Sequence, residues 1–153
     1  MQRSHVTNAL GILWRQRHLG ERYTGHEVEH RNPEAIHIDT TLMPLAPGKV
    51  LVSPEYIDVA RLPAALSRWD VWVAPEPATT VNDPLGVVSK WGSINLLMLD
   101  EQRILVERRQ APLIAKLKDW GFLPIPIDFE AWLPFVGSLR CLFDAEVFLL
   151  ASP

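Results

Sequence analysis

The chain has 153 residues, 48% of them hydrophobic and 22% charged, with 15 basic side chains against 18 acidic ones for a formal charge of −3. Length and apolar content suit one ordinary globular domain over residues 1–153, and the near-balanced charge offers no footprint for nucleic acid or an anionic membrane. No apolar run approaches the roughly 20 residues of a spanning helix, Met1 to His5 opens no signal peptide, and the lone Cys141 cannot form an internal disulfide, so a reducing, cytoplasmic setting is expected.

Val6, Ala9, Leu10, Leu13 and Trp14 recur at helical spacing, and Gly20 follows as a stop, so Ser4 to His18 reads as an amphipathic helix. Gly25 to Arg31 alternates polar residues before Asn32-Pro33 breaks the pattern. A β-type run from Ala35 to Leu45, the turn Ala46-Pro47-Gly48-Lys49 and the strand Val50-Leu51-Val52 predict a hairpin. A helix is expected near Leu62 to Trp69, then a short strand from Val71 to Ala74. After a loop from Glu76 to Gly92 the same order returns: strand Ile94–Leu99, turn Asp100–Gln102, strand Ile104–Val106, helix Ala111–Trp120 and strand Phe122–Ile127.

The two passages can be laid over each other, Lys49–Val52 on Arg103–Val106 and Leu66–Val71 on Leu117–Phe122, at an offset of about 50 residues. A repeat of hairpin, helix and further strand marks stacked or radial modules. The chain opens with the end of one module and finishes in the opening of another, so module frame and chain frame differ. Such a frame leaves sheet edges and an apolar flank uncovered, which implies part of a larger fold or a partner.

Four places invite chemistry. His26-Glu27-Val28-Glu29-His30 matches the H-E-x-x-H string of zinc peptidases, which needs both imidazoles on one helical face. With Gly25 before it and Asn32-Pro33 after, a solvated edge strand is the better reading, and no metal is assigned. His37-Ile38-Asp39 on a strand would point imidazole and carboxylate to one face, suited to proton handling and gripping a cation, with Ile36 and Ile38 facing the core. Surface His and Asp on a strand are also common without any role. Cys141 is either a small buried hydrophobe or, if a His lies close, a nucleophile. The loop from Asp83 to Ser93 is shaped by Pro and Gly and suits either a turn or a binding loop. Two of the six Trp residues recur with the repeat and read as core rather than as a stacking platform.

In combination, His37-Ile38-Asp39-Thr40-Thr41, Pro47-Gly48-Lys49-Val50-Leu51-Val52, Val88-Ser89-Lys90-Trp91, Ile94-Asn95-Leu96-Leu97-Met98-Leu99-Asp100 and Gly137-Ser138 before Cys141 resemble the amidinotransferase family, its glycine-type members most. The resemblance runs from about Gln2 to Cys141. It implies an α/β fold, a partial pentein-type α/β propeller of about two and a half modules, forming the C-terminal fragment of a longer propeller. It implies Cys141 as nucleophile, His37 as general acid/base, Asp39 as the guanidinium partner and Ser89 as a substrate-carboxylate contact, with arginine and an amine such as glycine as substrates and no cofactor. A related deiminase-like hydrolysis, or a non-catalytic remnant that works with a second copy or a companion chain, are the alternatives. The chain departs from the family pattern at Arg140, where His precedes the nucleophile, at Tyr56 and Val88, where the animal enzyme has Arg and Ser, and after Cys141, where an Asp-x-Arg-Arg run is missing. A further catalytic Asp and guanidinium-binding carboxylates belong to the part of the family pattern ahead of Gln2, so little turnover is expected of the isolated chain.

Overall fold

The computed structural model describes residues 1–33, 35–78, 88–131 and 138–142. It contains two three-stranded sheets of the same construction. In the first, β1 (Leu42–Ala46) and β2 (Lys49–Val52) form an antiparallel hairpin, and β3 (Asp70–Val73) joins β2 in parallel. In the second, β4 (Leu97–Met98) and β5 (Arg103–Glu107) are antiparallel, and β6 (Leu123–Ile127) lies parallel to β5. The repeat is therefore real. Lys49 pairs with Asp70 as Arg103 pairs with Leu123, so the third strands superpose two residues away from the match that Trp69 and Trp120 suggest.

The crossovers differ. In the second module α2 (Ala111–Asp119) buries Leu113 and Leu117, and its end is closed by Gly121 at φ 87°, where Phe122 N–H donates to Leu117 O at 2.9 Å. That left-handed position admits glycine without strain and closes the helix in a Schellman-type cap. In the first module the helix expected over Leu62–Trp69 does not form. Pro63 removes a donor and forces Leu62 into an extended conformation, leaving two short 3₁₀ turns, Val59–Arg61 and Ala64–Leu66. Their greater rise per residue still carries the chain to β3 while Leu66 and Trp69 pack inward.

Three further expectations are corrected. The helix near the start is α1 (Ala9–Leu19), begun by Asn8, whose Oδ1 accepts from Gly11 N–H at 2.9 Å; residues 4–7 form a turn before it. Residues 35–41 are not strand: Ile38–Thr40 is a 3₁₀ turn closed by Thr41 N–H to Ile38 O at 2.8 Å, and Ile36 is exposed. Ile94 and Asn95 wind into the 3₁₀ turn Lys90–Ile94 and its cap, so β4 keeps only two residues.

Two apolar clusters meet on the first sheet. Leu51 faces one with Met43, Leu45, Trp91, Ile94, Ile104, Val106 and Leu117, whereas Val50 and Val52 face the other with Val28, Leu42 and Ile57. Trp69 and Trp120 pack against these clusters, as the repeat suggests. Edge strand β6 carries Pro124 and Pro126, which cannot donate to a further strand and so blunt that edge. By contrast, the apolar side of α1 is uncovered among the described residues, with Leu10 72%, Leu13 57% and Trp14 62% exposed. No helix among them is long and apolar enough to cross a membrane.

The β4–β5 turn is tied by Asp100, whose Oδ1 accepts from Arg103 N–H at 2.6 Å and Gln102 N–H at 2.9 Å and whose Oδ2 meets the Arg103 guanidinium. The two backbone bonds, with the Arg103 side chain, hold this carboxyl down at about 2 from an ordinary 3.8. A depressed carboxyl stabilises the fold above its unfolded value and loses that contribution as pH falls through the folded one. Asp100→Ala is thus expected to lower the melting temperature at pH 7 and to shrink the loss of stability between about pH 4 and 2, read by thermal melts across pH. Ile104→Ala, at a fully buried site, should cost about 2–5 kcal/mol in urea unfolding, against under ~0.5 kcal/mol for Leu123→Ala on the exposed edge.

Candidate active site

The site forms where three short turns converge. His37 caps the turn Ile38–Thr40 with extended backbone, and Asp39 lies one residue inside that turn. Bending, not strand alternation, therefore brings imidazole and carboxylate together. The third contribution is α3 (Leu139–Leu142), a single turn carrying Cys141, anchored by Leu139, which is 1% exposed. One side-chain ligand atom from each of His37, Asp39 and Cys141 lies within 4.8 Å of the other two. Cys141 is exposed, and its thiol donates to Asp39 Oδ2 at 3.7 Å. Asp39 Oδ1 is buried and has no hydrogen-bond partner among the described residues. A carboxylate with one oxygen beside the sulfur suits a cation carrying N–H donors.

The second turn is Lys90–Ile94, which sends Trp91 and Ile94 into the core and presents polar groups at both ends. Ser89 caps its start, accepting from Trp91 N–H at 3.1 Å and sharing a 3.1 Å hydrogen bond with the Tyr56 hydroxyl. Asn95 caps its end, with Nδ2 donating to Cys141 Sγ at 3.3 Å and Oδ1 accepting from Arg140 N–H at 2.8 Å. Ser89 thus stands at the opposite end of the turn from Asn95, and its hydrogen bonds go to Trp91 N–H and the Tyr56 hydroxyl rather than to the sulfur. Sequence reading missed Asn95, placing it in a strand. The available signal was a lone amide inside the apolar run from Ile94 to Leu99.

Beside Ser89, Lys90 Nζ bridges Glu55 at 2.7 Å and Glu76 at 2.9 Å, and Trp91 Nε1 donates to Glu55 at 3.0 Å. These partners, Glu55 first, hold the ammonium well above its usual range, and the Lys90 and Trp91 hydrogen bonds hold the Glu55 carboxyl below its own. The positive charge next to Ser89 is therefore already spoken for. Arg140 turns its guanidinium to Met43 Sδ at 3.4 Å.

The H-E-x-x-H string is not helical. Residues 26–30 run without regular structure, Val28 is buried, and both ring nitrogens of His30 are engaged, with Arg3 O at 2.7 Å and Asn32 N–H at 3.2 Å. The solvated edge strand expected there does not form, and the helical face that a zinc-peptidase arrangement needs is absent from these residues as well. Of the loop Asp83–Ser93, residues 83–87 lie outside the described residues, as do 134–137 ahead of Cys141 and 143–150 after it.

A hairpin with a parallel third strand, repeated, and an exposed thiol and imidazole beside a half-buried carboxylate on short turns make a partial pentein-type α/β propeller. The chain is homologous to amidinotransferases. It is 46% identical over 140 residues to L-arginine:L-lysine amidinotransferase of Pseudomonas savastanoi pv. phaseolicola, spanning 92% of this chain and 38% of that protein. Mitochondrial glycine amidinotransferase of Xenopus laevis is 34% identical over 144 residues, spanning 92% and 33%. The structure of SxtG, an amidinotransferase of the saxitoxin biosynthetic pathway from Microseira wollei, matches with a TM-score of 0.88 and 56% identity over 92% of this chain and 39% of that one. No established family profile matches. The chain therefore spans under two fifths of the length of these relatives, and the glycine-type likeness is weaker than the arginine:lysine one.

With Cys141 exposed and alone, the native chain should take up one equivalent of iodoacetamide without denaturant, measured as a single mass increment that Cys141→Ser abolishes.

Proposed function

We propose that this chain carries the nucleophile half of an amidino-transfer site, moving the amidino group of arginine to an amine such as glycine or lysine through a covalent amidino-cysteine. The observation that carries this reading is the meeting of the His37, Asp39 and Cys141 ligand atoms within 4.8 Å, in a chain homologous to amidinotransferases. Asp39 takes the guanidinium by a charge-assisted hydrogen bond to the carboxylate oxygen that faces the sulfur. The Cys141 thiol gives its proton to His37 as its sulfur adds to the guanidino carbon. Collapse of the tetrahedral adduct breaks the bond to the substrate's chain nitrogen, whose electron pair takes a proton from His37, and ornithine leaves. The acceptor amine attacks the amidino carbon, loses a proton to His37 and expels the sulfur. A covalent intermediate lets the two amines visit one site in turn. Ser89 would meet the substrate carboxylate.

Side chains supply every step of this scheme, without a cofactor, and a free reactive thiol fits a reducing, cytoplasmic setting. The exposed Leu10, Leu13 and Trp14 face of α1 supports a companion segment packed there in the working enzyme. Turnover by the isolated chain is accordingly expected to be low, also because Arg140 stands where the family pattern has His.

Incubation with arginine should place an amidino group on Cys141, seen by intact mass and peptide mapping, with glycine or lysine discharging it and Cys141→Ser preventing it. Citrulline formed from arginine with no amine present would favour hydrolysis instead, and a Cys141 unmodified at saturating arginine would contradict both. Asp39→Asn removes a hydrogen-bonded charge worth about 1.5–3 kcal/mol. It should raise the arginine concentration needed for adduct formation roughly 10- to 100-fold.

A further inference from the structure

Asn95 is 1% exposed, and each end of its carboxamide is committed to the turn that bears the nucleophile. Its Oδ1 accepts from Arg140 N–H at 2.8 Å and its Nδ2 donates to Cys141 Sγ at 3.3 Å, while Cys141 N–H donates to Ser138 O at 3.0 Å. Its own backbone N–H donates to Gly92 O at 3.1 Å, fixing it to the end of the turn Lys90–Ile94. An apolar side chain would be cheaper to bury at this 1% exposed position than an amide, so burial alone does not account for this residue. What the amide adds is direction: one acceptor for a helix N–H and one donor for a sulfur. Asp39 Oδ2 lies 3.7 Å from the same sulfur on the opposing turn. The amide N–H is thus a positive dipole set against the charge that gathers on the sulfur beside that carboxylate.

We infer that Asn95 is a positioning residue for Cys141, its Nδ2 aiming the sulfur between His37 and Asp39 and steadying negative charge on it, and its Oδ1 locking the turn that carries it. This rests on Cys141 being the nucleophile. It also links the two ends of one 3₁₀ turn, Ser89 at its start and Asn95 at its end, so that a shift of the turn at the substrate end would be felt at the sulfur.

Two substitutions separate aim from scaffold. Asn95→Asp keeps an acceptor for Arg140 N–H but loses the donor to sulfur, and Asn95→Leu loses both. A hydrogen bond to a charged group is worth enough to change a rate roughly tenfold or more. Alkylation of Cys141 by iodoacetamide should therefore slow by at least about tenfold in both variants. Wild-type rates in Asn95→Asp would mean a scaffold role only and overturn the inference. A second arm leaves Asn95 in place. Hydrogen exchange of its side-chain amide, followed by NMR, should be protected in the wild-type chain and in Cys141→Ser, and faster in Cys141→Ala, which removes the acceptor. Equal exchange in wild type and Cys141→Ala would overturn the inference even if the Asn95 variants fail to fold. Loss of the arginine adduct together with Asn95-dependent alkylation would sink amidino transfer and leave the positioning role standing.

Discussion

Strand β2 is the seam on which this structure depends. Val50, Leu51 and Val52 have no exposed surface, and their alternation sends Leu51 to one apolar cluster and its two neighbours to the other. A strand buried on both faces cannot slip by one residue without exchanging its cluster assignments, so register is set by packing as well as by the hairpin. Gly48 at φ 77° lets the hairpin turn tightly into that register. The second module uses the same device less completely, with Ile104 and Val106 of β5 buried and Leu105 only partly so.

The site inherits its rigidity from the first cluster. The turn Lys90–Ile94 is pinned by Trp91 and Ile94, and the turn Ile38–Thr40 leads directly into Met43 of β1. Leu139 fastens the turn that carries Cys141. Each functional group sits on a short turn whose apolar side is held and whose polar side faces solvent, which places side chains more exactly than a free loop would. Thr41 Oγ1 and Ser53 Oγ are buried without a hydrogen-bond partner among the described residues, although the two backbones are joined by Ser53 N–H to Thr41 O at 3.0 Å. Such unmet groups are costly, and their position behind the turn that carries Asp39 sets a price on maintaining that geometry.

Strands and repeat were legible because they depend on period-2 alternation and turn residues, both local. The hairpin at Pro47-Gly48, the central strands Lys49–Val52 and Arg103–Val106, and α2 all lie close to where the pattern puts them. The crossover at Leu62–Trp69 was less legible, since helical spacing of Leu62, Leu66 and Trp69 is met as well by successive 3₁₀ turns once Pro63 interrupts. The spacing of His37 and Asp39 suits a strand face, but a 3₁₀ turn brings the two side chains to the same sulfur instead. Asn95 was hidden because nothing local distinguishes an amide in a strand from one that reaches a sulfur 46 residues later in sequence.

Arginine titration followed by backbone amide NMR tests most directly whether one guanidinium site lies between Asp39 and Cys141. Saturable shifts confined to residues 37–41, 89–96 and 138–142, and abolished by Asp39→Asn, are expected. A folded chain whose shifts are absent there, or centred instead on the exposed carboxylates of Glu55 and Glu76, would contradict it.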